Sequence, residues 1–127
     1  MLDEKTKTLA SGRNFAVLTT LMADGTPQSH VMWVDHDGDH ILINTEIDRQ
    51  KFLNVSRDPR ATVTILETGN GYSYAEIRGT VTETIHGDRA REHIDELSQR
   101  YFGKPYANEI QSERVILKIR PDRQVIH

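Results

Sequence analysis

The segment Asn14–Thr45, NFAVLTTLMADGTPQSHVMWVDHDGDHILINT, decides the fold of this chain. Apolar, β-rich runs alternate in it with turn residues, and the pairs Asp24-Gly25 and Asp37-Gly38 each fall between two such runs. An Asp-Gly pair between apolar runs is a strong signal for a β-hairpin, because both residues tolerate the positive φ of the tight turn. The segment therefore predicts three antiparallel strands within about thirty residues.

Three later runs extend this pattern into a mainly β chain. They are ATVTILE (61–67), YSYAEIRGTVTET (72–84) and ERVILKIRPDR (113–123), and each is rich in β-branched or alternating apolar residues. Gly79, inside the second run, indicates a bulge or a close approach of another backbone segment. Six strands in meander order predict a small six-stranded antiparallel β-barrel, since closure removes the exposed edges of an open sheet.

Two helices are predicted to flank these strands. A short first helix has Asp3 as its N-cap, and Gly12 suits the left-handed residue that often ends a helix. The long helix GDRAREHIDELSQRYFG (87–103) carries apolar residues at spacings of three and four and ends at Gly103. Because no repeat or linker interrupts the chain, residues 1–127 are predicted to form a single domain.

Composition excludes several classes of function. A charged fraction of 28% with a formal net charge of −3 argues against a nucleic-acid binder that relies on a basic surface. The lack of cysteine excludes disulfides, thiolate catalysis and cysteine-ligated metals. No histidine has a partner at a recognised metal spacing and no serine lies in a nucleophile elbow, so neither a metal nor a catalytic residue is predicted. The charged N-terminal stretch lacks the apolar core of a signal peptide, and the cytoplasm is the expected compartment.

A basic cluster follows the third apolar run. In NTEIDRQKFLNVSRDPR (44–60), Arg49 and Lys51 stand where a short helix begins. The cations form either a solvated helix face, which is the commoner origin of such clusters, or a seat for an anionic ligand. In the second interpretation the two side chains converge on a phosphate together with the free N–H groups of the helix start. An enzyme built this way would take its hard chemistry from a cofactor.

The order and spacing of these pieces resemble the split-barrel flavin and deazaflavin oxidoreductases, the superfamily of pyridoxamine 5'-phosphate oxidase. Within it, the chain is most similar to the branch that uses coenzyme F-420. The resemblance covers Leu9–Arg123 and rests on FAVLTTLMADGTPQSHVMWV (15–34), ILINTEIDRQKFLNVSRDPRATVTI (41–65), YSYAEIRGTVTE (72–83), HIDELSQRYFGKPY (93–106) and RVILKIRPDR (114–123). It implies an FMN-binding type of split barrel and a homodimer with the cofactor at the interface.

The resemblance also implies a set of cofactor-binding residues. They are those lining the ring (His30, Val31, Met32 and Trp33), those closing its other side (Asn44 and Thr45), those holding the phosphate (Arg49, Gln50, Lys51 and Asn54), and those reaching the partner's cofactor (Tyr72 and Tyr74). Simpler structural roles remain open for some of them. Trp33 suits a barrel core equally well, and the two tyrosines share a strand face that suits a dimer interface with or without a cofactor.

The implied activity is that of an oxidoreductase in which reduced coenzyme F-420 transfers hydride to an unsaturated or otherwise electrophilic small molecule. Two alternatives stay open: an FMN-binding oxidase or reductase of the same superfamily, and a cofactor carrier with little turnover. The deazaflavin differs from FMN in its acidic tail beyond the phosphate, for which the candidate contacts are Lys5, Lys7, Arg13 and Lys104. Neither a nucleic-acid nor a membrane partner is expected.

Overall fold

The computed structural model describes residues 1–127 and contains one antiparallel sheet of seven strands with three helices. In chain order the elements are α1 (Glu4–Ser11), β1 (Phe15–Leu21), β2 (Pro27–Met32), β3 (Asp35–His36), β4 (Ile41–Glu46), α2 (Gln50–Arg57), β5 (Arg60–Glu67), β6 (Asn70–Ile85), α3 (Gly87–Phe102) and β7 (Arg114–Ile126). The predicted mainly β, antiparallel fold is confirmed. None of the helices combines the length and the apolar character that crossing a bilayer requires.

The six-stranded barrel is not confirmed in its detail. The strands lie in the order β2-β1-β5-β6-β7-β4-β3, so the sheet has seven strands and is not a simple meander. The seventh strand arises because the run after the first hairpin changes partner: β2 pairs with β1, and β3 pairs with β4. The hydrogen-bonded ladder therefore does not close, and β2 and β3 are its two edges.

The two sheet edges are joined by only two residues, Trp33 and Val34. Three Cα–Cα steps span at most about 11 Å, so the ends of β2 and β3 lie close together and the sheet has to curl on itself. Val34 is fully buried in the core that this curling encloses. Beyond Leu42, β4 pairs only with β7, which leaves a split between the free edges of β2 and β4.

The core lies inside the curled sheet. It is a cluster of 16 buried apolar residues from the inner faces of β1, β4, β5, β6 and β7 together with Val34, Val55 and the buried face of α1. Leu9 and Ala10 of α1 belong to it, so this helix closes one end of the enclosed space. Each large aliphatic side chain buried here contributes about 1.5–3 kcal/mol to folding.

The long helix α3 packs on the outer face of β4 and β7. Ala90 contacts Leu42 and Ile116, which point away from the main core, and β4 is consequently buried on both faces. Ile94, Leu97 and Tyr101 form a third cluster, which confirms the predicted helix and its apolar stripe. No helix packs on the outer face of β2 and its neighbours, where Val31 is 69% exposed.

The glycines divide into confirmed and corrected predictions. Gly79 lies at a register shift, and a Cβ there would collide with the backbone oxygen of Arg120, as the close approach predicted from the sequence requires. Gly103 ends α3 with φ 74°. Gly12 is different: it has extended backbone, φ −96° and ψ −176°, so the predicted left-handed end of α1 is wrong. The side chain of Asn14 donates to the Leu9 carbonyl instead, and this satisfies the helix end.

Asp35 attaches α3 to the sheet. Its carboxylate accepts hydrogen bonds from Arg100 Nη2 at 2.7 Å and from His93 Nε2 at 2.9 Å. Burial on its own would raise the pKa of Asp35, but these two donors outweigh that effect and lower the pKa to about 2. The ionised form is therefore the one that stabilises the fold.

Asp35→Asn is expected to lower the free energy of unfolding by about 2 kcal/mol near neutral pH, the equivalent of the pKa shift. Because folding lowers this pKa from 3.8, the stabilisation is fully present above pH 3.8 and disappears as the pH falls through about 2. Denaturant unfolding of both proteins across this range measures the difference. Asp39→Asn, in an exposed turn, is the control. A difference between Asp35→Asn and the unmodified protein that stays constant with pH would contradict the assignment.

Candidate functional site

A cavity of about 430 Å³ lies between the sheet, α3 and the segment 103–113. Met32 and Trp33 enter it from the end of β2 and its link to β3, whereas Asn44 and Arg114 enter it from β4 and β7. Because β2 and β4 do not pair with each other, the cavity lies at the split between two free strand edges. Nine of its fourteen lining residues are apolar, so polar contacts inside it are few and localised.

Trp33 forms the aromatic wall of the cavity. Its ring stacks on Tyr101 with centroids 5.1 Å apart and an interplanar angle of 8°, and it meets the edges of Phe102 and Tyr106. The Tyr101 hydroxyl accepts a hydrogen bond from the Val34 N–H at 3.3 Å, which fixes the stack to the chain beside Trp33. The wall is therefore rigid rather than a set of independent side chains.

Arg114 supplies the cationic end of the cavity. It is 8% exposed; its Nε donates to Asn44 Oδ1 at 2.9 Å and its Nη1 donates to Glu46 Oε2 at 3.2 Å. The guanidinium lies over the Tyr106 ring, 5.3 Å from the centroid. Burial lowers the pKa of Arg114, while Tyr106 and Glu46 act in the opposite direction. A guanidinium remains protonated under such conditions, so the cavity keeps its positive charge.

Glu46 holds Arg114 and the segment 103–113 at once. Its carboxylate is 1% exposed and accepts hydrogen bonds from the backbone N–H groups of Gln111 and Ser112 at 3.0 and 2.8 Å. Burial would raise the pKa of Glu46, but the Ser112 donors and the charge of Arg114 lower it overall. An ionised Glu46 therefore ties the far wall of the cavity to β4.

A buried hydrogen-bond chain runs behind the cavity from Asp35 to Arg114. His93 is fully buried, with Nε2 2.9 Å from Asp35 Oδ2 and Nδ1 3.1 Å from Asn44 Nδ2. Since Asn44 Nδ2 also donates to the Ala90 carbonyl at 2.9 Å, its amide oxygen faces Arg114. The hydrogen-bond pattern assigns a neutral His93 that carries its proton on Nε2 and accepts at Nδ1.

A second cationic group lies at the start of α2. Lys51 is only 8% exposed, and the charged groups that act on it are Arg49 and Arg114, both cations. Burial first, and then these two charges, lower the pKa of Lys51. Lys51 Nζ has no hydrogen-bond partner in the protein. Because every fully buried side-chain nitrogen and oxygen does have one, Lys51 Nζ is not fully buried, and the ammonium reaches solvent at the split. Arg49, the N-cap, makes no side-chain cap. The Phe52 N–H donates to the Arg49 carbonyl at 3.0 Å, so the N–H groups of Gln50 and Lys51 are the ones left free at the helix start.

Side chains of β2 and α2 meet on the inner side of the split. Asn54 donates a hydrogen bond through its Nδ2 to Gln28 Oε1 at 3.2 Å. Its Oδ1 accepts a hydrogen bond from Gln50 Nε2 at 2.8 Å. Burial lowers the pKa of His30, and the neighbouring charge of Lys51 lowers it further. This region of β2 therefore lies beside the basic start of α2.

The residues proposed from the sequence fall into three places. Four line the cavity: Val31, Met32, Trp33 and Asn44. Five lie at or near the start of α2: His30, Arg49, Gln50, Lys51 and Asn54. Thr45, Tyr72 and Tyr74 are not among the residues that line the cavity. Thr45 pairs with Val115 in the sheet and points to the opposite face from Asn44. Tyr72 is 93% exposed, and the Tyr74 ring stacks on His127 with centroids 4.5 Å apart.

Sequence reasoning did not identify Arg114, Glu46 or His93 as parts of a site. A signal for the first two exists in the sequence. The runs ILI (41–43) and VIL (115–117) are apolar on consecutive positions, which indicates strands buried on both faces, and Glu46 and Arg114 stand near their ends. A charged residue at the end of such a run is itself buried and needs a partner. His93 carried no comparable signal, because its contacts with β3 and β4 are long-range.

Comparison with known proteins places the chain in a family. A family model described as pyridoxamine 5'-phosphate oxidase matches residues 2–125. A solved structure of an F420 reductase superposes with a TM-score of 0.84 at 28% identity, covering 98% of each chain. A conserved hypothetical protein from Mycobacterium tuberculosis gives a TM-score of 0.73 at 25% identity over 98% of this chain and 83% of that one. A putative pyridoxamine 5'-phosphate oxidase from Listeria innocua gives 0.63 at 24% identity over 88% and 86%. Among curated proteins, none matches.

The similarity to the Listeria innocua structure supports the fold alone, because the sequence identity between the two chains is only 24%. The family match, in contrast, spans both the split and the cavity, from α1 to the end of β7. It agrees with the superfamily inferred from the sequence. The chain therefore belongs to the pyridoxamine 5'-phosphate oxidase family.

Proposed function

We propose that the protein is an oxidoreductase that binds the deazaflavin coenzyme F-420 at the split between β2 and β4 and uses it to reduce an electrophilic small molecule. Membership of the family supports the general class, and the F420 reductase at 28% identity supports the choice of carrier. The observation that carries the proposal is Lys51, a residue only 8% exposed whose ammonium opens at the split with cations beside it and no anion to balance it.

An anion is needed at Lys51 for electrostatic reasons. A partly desolvated charge without a partner is costly, and Arg49 and Arg114 add repulsion. A phosphate would remove this imbalance, since it accepts hydrogen bonds from the ammonium, from Arg49 and from the free N–H groups at the start of α2. In the competing interpretation, a solvated helix face, the Lys51 side chain would be largely exposed to solvent. The exposed fraction of Lys51 is only 8%.

The remaining contacts of the carrier follow from the split. The free edge of β2 from His30 to Trp33 offers unpaired backbone donors and acceptors to the ring, and Asn44 stands on the opposite edge. When bound, a reduced deazaflavin supplies a hydride, that is, a proton with two electrons, to a carbon of the acceptor, whose second hydrogen comes as a proton from water or from a tyrosine. The chain contributes binding, orientation and exclusion of water through the walls of the cavity.

The outer face of β2, β1 and β5 supports a homodimer. Val31, Val17 and Thr64 stand in one row across these strands, and no helix packs against them. A single chain of this size also has too little surface to enclose a flavin-sized ligand, which pockets bury over most of its area. If the two-fold axis of the dimer passes through this face, the split of each subunit lies beside the other subunit.

Lys51→Ala is expected to weaken the binding of coenzyme F-420 by about tenfold or more, because a charge-assisted contact to phosphate is worth roughly 1.5–3 kcal/mol. In the unmodified protein the affinity should also fall on the alkaline side at a pH below 10.5, since the ammonium of lowered pKa loses its proton there. Lys51→Arg, which stays protonated, should remove that fall. Arg57→Ala, at the far end of α2, is the control. Absorbance titration measures the affinity for coenzyme F-420. An unchanged affinity in Lys51→Ala would show that the basic cluster is an ordinary solvated helix face.

Coenzyme F-420 is expected to bind more tightly than FMN, and the preference should shrink with salt. Both ligands offer a tricyclic ring and a phosphate, so discrimination has to come from the acidic tail. Lys104 lines the cavity and is available for it, whereas Lys7 already pairs with Glu4 at 2.6 Å. Screened surface pairs contribute only about 0.2–1 kcal/mol each. Titrations at low and high salt measure the preference. If FMN binds as tightly as coenzyme F-420 at both salt concentrations, the FMN alternative is correct. It is also correct if the protein purifies with yellow FMN bound and the deazaflavin does not displace it.

Thr64→Arg is expected to convert the homodimer into monomers, because it places a charge at the centre of the uncovered outer face. Thr82→Arg makes the same substitution at an exposed position of β6 beyond the register shift, and should leave the dimer intact. Sedimentation at micromolar concentration distinguishes the two species. A monomer in the unmodified protein with the carrier bound would refute the dimer.

A further inference from the structure

We infer that the cavity under α3 is a binding site for a flat, conjugated carboxylate anchored on Arg114. This inference rests on the proposed function, because such a carboxylate is then the class of hydride acceptor that the enzyme reduces. The cavity combines an aromatic wall with cationic groups: Trp33 stacks on Tyr101, the Arg114 guanidinium lies over Tyr106, and Lys104 also lines the space. Pockets that bind small molecules combine a largely apolar lining with a few placed polar groups in this way.

Arg114 has one guanidinium nitrogen left for a ligand. Its Nε donates to Asn44 and its Nη1 donates to Glu46. Nη2 has no partner in the protein. Because no fully buried side-chain nitrogen lacks a hydrogen-bond partner, Nη2 is accessible, and we assign it to the cavity that Arg114 lines. A free N–H₂ group on a nearly buried guanidinium is a strong donor to a carboxylate oxygen.

The charges around Arg114 favour an anionic ligand over a neutral one. Arg49, Lys51 and Arg114 are three cations, and two carboxylates pair with them: Glu46 lies 3.6 Å from Arg49 and 3.2 Å from Arg114, and the exposed Asp48 lies 3.9 Å from Arg49. The cluster thus carries an excess of one positive charge.

The guanidinium is held in place before any ligand arrives. Asn44 can accept from Arg114 only while its amide nitrogen faces His93 and the Ala90 carbonyl. His93 in turn is fixed by Asp35. Arg114 is therefore oriented from two sides, by this chain and by Glu46, and loses little entropy on binding a carboxylate.

The shape of the cavity favours a flat ligand of one or two rings. Trp33 is held against Tyr101 at an interplanar angle of 8°, and Tyr106 approaches its edge. A rigid aromatic wall binds a conjugated ring by stacking. At about 430 Å³ the cavity is near the lower end of the range for small-molecule pockets, which excludes large polycyclic ligands.

Binding in the cavity can be followed by tryptophan fluorescence, because Trp33, which lines the cavity, is the only tryptophan of the chain. Quenching of its fluorescence by 2-naphthoate, a flat carboxylate, and by 2-naphthamide, its uncharged counterpart, compares the two ligands on the unmodified protein. The acid is expected to bind about tenfold more tightly than the amide, the equivalent of one charge-assisted hydrogen bond. Equal affinities would overturn the inference.

Equilibrium dialysis of 2-naphthoate with and without saturating oxidised coenzyme F-420 separates this inference from the proposed function. Binding of both at once supports a substrate site beside the carrier, whereas mutual displacement overturns it and makes the cavity the seat of the ring. If the acid binds with its preference over the amide but coenzyme F-420 binds nowhere, the carboxylate site stands and the choice of carrier fails. If coenzyme F-420 binds and the acid shows no preference, the carrier stands and the carboxylate site fails.

A pair of variants locates the anchor. Arg114→Gln alone would leave the buried Glu46 carboxylate without its cation, so the double variant E46Q/R114Q removes both charges together. In it, the affinity for the acid is expected to fall about tenfold to that of the amide, and the affinity for the amide should not change. Arg120→Gln, an exposed position on the same strand, should leave both affinities unchanged. Retention of the preference in E46Q/R114Q would overturn the assignment to Arg114. If E46Q/R114Q does not fold, the acid and amide comparison on the unmodified protein decides.

Discussion

The two-residue link Trp33-Val34 is the constraint on which the rest of the structure depends. It carries the chain from one edge of the sheet to the other, and these edges can be that close only if the sheet curls. Curling encloses the core around Val34, and it also leaves β2 and β4 unpaired with each other. The cavity and the basic start of α2 both lie at that gap. Core and candidate site are therefore two results of one covalent restraint.

Local sequence signals predicted the parts of the fold that depend on near neighbours. The Asp-Gly turns place Gly25 and Gly38 at φ 88° and 95°, and Gly79 lies where two backbone segments come together. The exchange of partners after Met32 was missed because both pairings are local hairpins, and the turn signals do not show that the run between them breaks into two strands. The end of α1 was missed for a smaller reason. Asn14 and the Gly12 N–H both donate to the Leu9 carbonyl in the last turn, and this contact is made with Gly12 in an extended conformation.

The candidate site shows the same division. Arg49 and Lys51 stand out because they are two positions apart at a helix start, where the physical argument for an anion is local. Arg114 is seventy positions away from Asn44, its hydrogen-bond partner, and His93 reaches the same network from α3. Contacts at such separations are set by sheet order and helix docking, which periodicity alone does not encode.

The segment 103–113 has no regular secondary structure, yet it is fixed at both ends. The N–H of Tyr106 donates to Asp95 at 3.0 Å, and those of Gln111 and Ser112 donate to Glu46. Between these attachments, Ala107 and Asn108 face the cavity and take no part in the sheet. Insertions or exchanges there would reshape the entrance without disturbing the hydrophobic interior. Relatives could thus diverge in ligand choice by altering a few surface positions, with folding left under separate selection.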